Sequence, residues 1–169
     1  AKIKEAEYKE ELEFMDEQLE NSVTRANQLA MQAEMAYAEM NQIFRSAADG
    51  IRVINFENEL IRFNETFSRI AGLDFEETCE KKCHESFFCN LCHTENCLLY
   101  QMKKTGVDRV EHEVMQTDDK GENTYYIITA TPFTAPDGEL IGIVESILDI
   151  TQRKLMEEKI NEKNKELNK

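Results

Sequence analysis

An α+β domain is what the 169-residue sequence predicts: a five-stranded antiparallel sheet with short helices on one face, a long helix before it and an outgoing helix after it. Three observations predict it. Residues 1–46 contain no proline or glycine and are rich in Glu, Lys, Gln, Met and Ala, the strong helix formers. Five strand-length runs of apolar, β-branched and aromatic residues follow, two before residue 64 and three after residue 108. Between these two groups lie short helical patterns and a knot of cysteines.

Along residues 1–46, Tyr8, Leu12, Met15, Leu19, Val23, Ala26, Ala30, Ala33, Tyr37, Met40 and Phe44 recur in steps of three and four. That spacing lays one apolar stripe along one helical face. A helix of this length is roughly 65 Å long at about 1.5 Å per residue, more than a small domain covers. The stripe therefore predicts a partner helix, and a parallel homodimeric coiled coil supplies one. An amphipathic helix folded back on its own domain is the other arrangement. The step through Leu19, Val23 and Ala26 breaks a strict heptad, a stutter that locally unwinds a supercoil.

Asp49-Gly50 closes the helix. Residues 51–57 and 59–63 read as a hairpin turning at Glu57-Asn58. Asn64 is suited to cap a short helix bearing Phe67 and Ile70 and ended by Gly72. Asp74 with Glu77 forms the pattern of a capping box. Residues 95–104 place Leu98, Leu99 and Met102 at helical spacing and end at Gly106. Strands are predicted over 109–117, 123–133 and 140–150, joined by turns at 118–121 and 135–138. Thr151 is placed to cap a last helix, which carries Met156, Ile160 and Leu167. The domains expected are 1–46 as coiled coil, 47–151 as the α+β domain with its Cys-rich segment 79–97, and 152–169 as the outgoing helix.

The bulk composition excludes several classes. The chain is 41% hydrophobic and 32% charged, which is globular or coiled-coil material. A formal net charge of -14 argues against nucleic acid and against contact with anionic lipid, both of which demand basic surface. No apolar run reaches the roughly 18 residues of a membrane span, and no signal-peptide core is present. A cytoplasmic location is expected. A start at Ala1 without methionine and an end inside a helical pattern predict a fragment of a longer protein.

All five cysteines and two of the three histidines fall within residues 79–97, with spacing C-x3-C-x5-C-x2-C-x4-C. An odd cysteine count excludes a complete internal disulfide framework and points to metal or redox chemistry. Thiolates bind soft and borderline metals, and four complete a tetrahedral zinc site or hold an iron–sulfur cluster. Cys89 and Cys92 form a C-x2-C pair, with Cys83 and Cys97 the natural completion and Cys79 the odd one out. His93, and less so His84, is a substitute ligand. Lys81 and Lys82 lie next to Cys83, as a reactive thiol would use. Four readings stay open at this point: a cluster, zinc, thiol–disulfide switching without metal, and cysteines serving as small buried hydrophobes. His112 shares a strand face with Val110 and Val114 and is expected to be packed or hydrogen-bonded. Val53, Phe56, Phe63, Phe67, Ile128, Ile143 and Ile147 form a core or line a pocket. Asp149 is placed to cap backbone amides or pair with a base where the last strand meets the outgoing helix, so Asp149 and Thr151 make the candidate signal junction.

The ordered set N-E-T-F at 64–67, Gly72, Glu76-Glu77, D-G-E-L-I-G at 137–142 and D-I-T-Q-R-K at 149–154 resembles the PAS sensor family over roughly residues 40–155. Residues 25–35, R-A-N-Q-L-A-M-Q-A-E-M, look like linkers of prokaryotic sensor histidine kinases. The resemblance implies a sensory module whose ligand sits between sheet and short helices. Its signal would leave through dimeric flanking helices to an output domain in the same polypeptide, such as a histidine kinase or diguanylate cyclase. Some PAS domains that sense oxygen or redox state bind a [4Fe-4S] cluster through four cysteines in this region, which implies Cys83, Cys89, Cys92 and Cys97 here. The N-C-R-F-L-Q motif of flavin photosensors is absent, and no histidine stands out as a haem ligand. No phosphoacceptor block, nucleotide-binding glycines or GGDEF-like run is present, so no catalysis is expected of this segment. The rival expectations are a zinc-stabilised dimerisation module and an oxidoreductase thiol at Cys83 or Cys89.

Overall fold

The computed structural model describes residues 2–87, 89–118 and 120–167. Asp119 of the turn at 118–121, and the termini Ala1 and 168–169 of the two flanking helices, lie outside the described residues. The chain divides into two compact units, Ala1–Ile43 and Phe44–Lys169. The described residues of the first are helical, being most of α1 (Lys2–Ser46). Its apolar stripe is bare: Leu12 is 49% exposed and Met40 72%.

The second unit is built on an antiparallel sheet of β1 (Gly50–Asn55), β2 (Leu60–Phe63), β3 (Val110–Thr117), β4 (Asn123–Thr134) and β5 (Leu140–Asp149), ordered β2-β1-β5-β4-β3. Joining the first strand to the last puts β5 at the centre of the sheet with β1 beside it. α2 (Glu65–Ala71), α3 (Phe75–Glu80), α4 (Cys83–Ser86) and α5 (Leu98–Thr105) fill the crossover between β2 and β3, and α6 (Thr151–Leu167) follows the last strand. Strand alternation points Ile54, Val114, Ile128, Ala130, Ile143 and Ile147 into one core with Phe67, Phe87, Leu98, Leu99 and Met102. The fold class is the one expected. The short helix α4 was not: four residues are too few for a readable period. The predicted helix over 95–104 begins only at Leu98, because the Thr94 hydroxyl donates to the Leu91 carbonyl and accepts the Asn96 N–H, holding the chain in turns.

Asn64 fixes the entry to the sheet. Its Oδ1 accepts from the N–H groups of Phe67 and Ile51, each at 2.9 Å. Its Nδ2 donates to the carbonyls of Phe44 at 3.1 Å and Asp49 at 2.9 Å. The residue thus caps α2 and at once holds the end of α1 and the start of β1. Arg45 adds an ion pair with Glu65. Asp74 and Glu77 close a reciprocal capping box on α3, Oδ1 of Asp74 accepting at 2.8 Å. At Gly142 a Cβ would lie 2.1 Å from the Ile54 carbonyl oxygen, so β5 approaches β1 as only glycine allows.

Candidate functional site

The Cys-rich segment lies over the inward face of β1 and β5. The side chain beneath it is Arg52, opposite Glu145 in the β1–β5 register and in an ion pair with it at 2.7 Å. Both are almost fully buried, 4% and 5% exposed. The guanidinium donates further to the Cys83 carbonyl at 2.7 Å and to Ser86 Oγ at 3.2 Å, both in α4. It also lies 5.2 Å from the Phe67 ring centre and 5.7 Å from that of Phe87. One buried cation thereby ties the cysteine helix to β1 and β5. Sequence reading missed this pair, yet a signal existed: a charge at an inward-facing position in each of two otherwise apolar strands.

Around this anchor the thiols separate. Cys83, Cys92 and Cys97 line an open cavity of about 510 Å³ together with His84, His93 and Lys103. The His84 and His93 rings meet edge to face with centres 4.7 Å apart. His93 has φ 62, the left-handed region, at the turn between Cys92 and Cys97. Cys89 lines a second cavity of about 540 Å³ with Ser86, Phe87, Met115 and Thr124. The two cavities touch through a sulfur contact, Cys89 Sγ to Cys92 Sγ at 3.8 Å. Cys79 is exposed on α3 and lines neither.

Electrostatics differ from thiol to thiol. Burial pushes the Cys83 thiol up to about 11 against the opposing pull of the Arg52 guanidinium. Cys92 is held below the ordinary thiol value because its sulfur accepts from the Cys89 thiol, and also from the Cys89 N–H at 3.4 Å. Cys89 is raised by that same donated bond and by burial.

The donor types suit a soft metal, but their placement does not converge. Among the described residues no three His, Cys, Asp or Glu side chains are grouped so as to hold a metal ion. Of the tetrad Cys83, Cys89, Cys92 and Cys97, three share one cavity and Cys89 faces the other. His112 hydrogen-bonds Gln101 Oε1 at 3.2 Å and lines neither cavity.

At the far end of β5, the Asp149 carboxylate accepts the Thr151 N–H at 2.8 Å and starts α6. The Thr151 hydroxyl does not cap its own helix. It accepts from the Tyr125 N–H at 2.9 Å, while the Ile150 N–H donates to the Tyr125 carbonyl at 2.8 Å. Lys154 then reaches Glu113 on β3 at 2.6 Å, an ion pair that raises the Lys154 pKa. The first turn of α6 is thus bonded to β4 and β3. Among the described residues no helix is long and apolar enough to cross a membrane.

Comparison with known proteins agrees with this architecture. The chain is similar to the PAS domain of an HTR-like protein from Haloarcula marismortui, at 18% identity and TM-score 0.59, covering 73% of this chain and 99% of that one. A structure of VqmA bound to DPO gives 17% identity and TM-score 0.56 over 66% of this chain and 57% of that one. A PAS domain from a two-component sensor histidine kinase gives 8% identity and TM-score 0.53 over 69% and 98%. No curated protein matches by sequence. The PAS fold family model matches residues 44–155, from the last turn of α1 through five strands to the first turn of α6, and the chain belongs to that family of sensory domains.

Proposed function

We propose that this chain is the input module of a signalling protein. The Cys-rich segment 79–97, or the cavity beside it, receives a redox, gas or small-molecule signal. Flanking helices of a homodimer carry the response to an output domain in the same polypeptide. The observation that supports this reading is the buried Arg52, bonded at once to the Cys83 carbonyl and to Glu145 on β5. A displacement of α4 acts on the Cys83 carbonyl bond of Arg52, and where Arg52 follows it the bond to Glu145 carries the shift to the strand that runs into α6. Two arrangements differing by only a few kcal/mol suffice for such a switch. The neighbours that bind DPO or serve a sensor kinase are in keeping with it.

Within this reading an iron–sulfur cluster held by Cys83, Cys89, Cys92 and Cys97 is one form of the input, and stoichiometric zinc there is the mark of the alternative, a structural role. The test is amide hydrogen exchange on the full chain in three states: reduced, oxidised by a small disulfide, and reconstituted anaerobically with iron and sulfide. Faster or slower exchange at residues 149–155 in at least one state, lost in the Arg52→Met/Glu145→Leu double variant, supports the reading. Changes confined to 79–97 in every state would sink it.

A further inference from the structure

We infer that Cys89 and Cys92 are a reversible dithiol–disulfide pair whose oxidant is a small-molecule disulfide, with Cys92 the attacking sulfur and Cys89 the resolving one. This rests on the sensory role proposed above and names its input chemistry. The geometry carries it. The two sulfurs are 3.8 Å apart, and a disulfide needs about 2.05 Å, so closing the gap takes a modest side-chain movement. The backbone between them is already a closed turn, the Cys92 N–H donating to the Cys89 carbonyl at 3.0 Å.

The division of labour follows from access. Cys92 is half-buried in the wall of the open cavity, within reach of a solute, and its sulfur accepts the Cys89 N–H. Cys89 is buried, 7% exposed, and is reached from Cys92 more readily than from solvent. The tetrad's failure to converge on one point is accounted for: its C-x2-C members face each other across the partition between two cavities.

The chemistry balances as two thiol–disulfide exchanges. Cys92 loses its proton and attacks one sulfur of RSSR; the S–S bond breaks, Cys92–S–SR forms, and RS⁻ leaves to take up a proton as RSH. Cys89 then loses its proton and attacks the Cys92 sulfur, displacing the second RS⁻, which leaves as RSH. The protein is oxidised by two electrons and RSSR is reduced to two thiols. Closing the bond draws on the wall shared by Ser86 and Phe87, both already in contact with Arg52, and by Thr124, next to the Tyr125 that holds Thr151.

The full chain, purified anaerobically, is treated with glutathione disulfide and mapped by alkylation and mass spectrometry. Loss of two of the five thiols as one Cys89–Cys92 bridge, restored by dithiothreitol, is the expected result. Cys89→Ser should retain a glutathionyl adduct on Cys92, and Cys92→Ser should leave Cys89 reduced. A bridge mapping elsewhere, or Cys89 and Cys92 staying reduced in wild type, overturns the assignment, and the wild-type result does not depend on any variant folding. Stoichiometric iron and sulfide, or zinc, lost on Cys89→Ser also overturns it. A cluster leaves the sensory reading standing, because the exchange test at residues 149–155 does not depend on which thiols react.

Discussion

Arg52 and Glu145 are the residues on which the candidate site turns. A buried ion pair gains little over a well-packed apolar pair, whereas removing one partner strands a charge in the core at about 3–5 kcal/mol. Arg52→Ala or Glu145→Ala should each lower stability by about that much in urea titrations, and Arg52→Met with Glu145→Leu should restore most of it. If the single variants cost less than about 1 kcal/mol, the pair does not hold the site. Cys83 gives a pH signature. Its folded pKa, about 11, lies above the ordinary thiol value of about 8.5. Between those values the unfolded chain binds fewer protons than the folded one, so stability falls as pH rises through that window. The urea midpoint should drop more between pH 8 and pH 10 in wild type than in Cys83→Ala. Neither effect was readable from spacing. The cysteines were found by clustering alone, but which thiol is buried, and which charge lies under it, depends on strands ninety residues apart.

At the scale of elements, caps and turns were the most legible features. Asn64, the Asp74–Glu77 box and the glycines after α2 and α5 act within a few residues of themselves, and local sequence suffices to find them. Asn64 does more than cap, because all four of its bonds are made while it is 2% exposed. Asn64→Ala should cost at least about 2 kcal/mol, more than an ordinary cap, by leaving buried donors and acceptors unpaired. Asn64→Asp keeps the acceptor but loses both donors and should fall between the two in thermal unfolding. A loss as small as that of a surface substitution would show that the Phe44 and Asp49 bonds do not matter. The junction at Thr151 shows the limit of local reading. Threonine before a helical run predicts a cap, yet its hydroxyl is taken by Tyr125 twenty-six residues away.

For the whole molecule, the bare stripe of α1 argues for a second copy. A helix whose large apolar residues stay about half exposed or more from Tyr8 to Ile43 gains by pairing with its own twin. Sedimentation at micromolar concentration should show a dimer, and Leu12→Glu with Leu19→Glu should yield a monomer that keeps the PAS unit folded. A wild-type monomer would remove the dimeric route for the signal. Legible in the sequence were the order of the five strands and of every helix but α4, the antiparallel sheet with its helical crossover, the amphipathic first helix and the concentration of thiols in one segment. These follow from periodicity and from local backbone chemistry, both of which act over a few residues. It took the folded chain to reveal that β1 lies beside β5, that Arg52 and Glu145 meet under α4, and that Cys89 faces one cavity and Cys92 another. Strand pairing and burial bring together residues far apart in the chain, and no local pattern records which of them will meet.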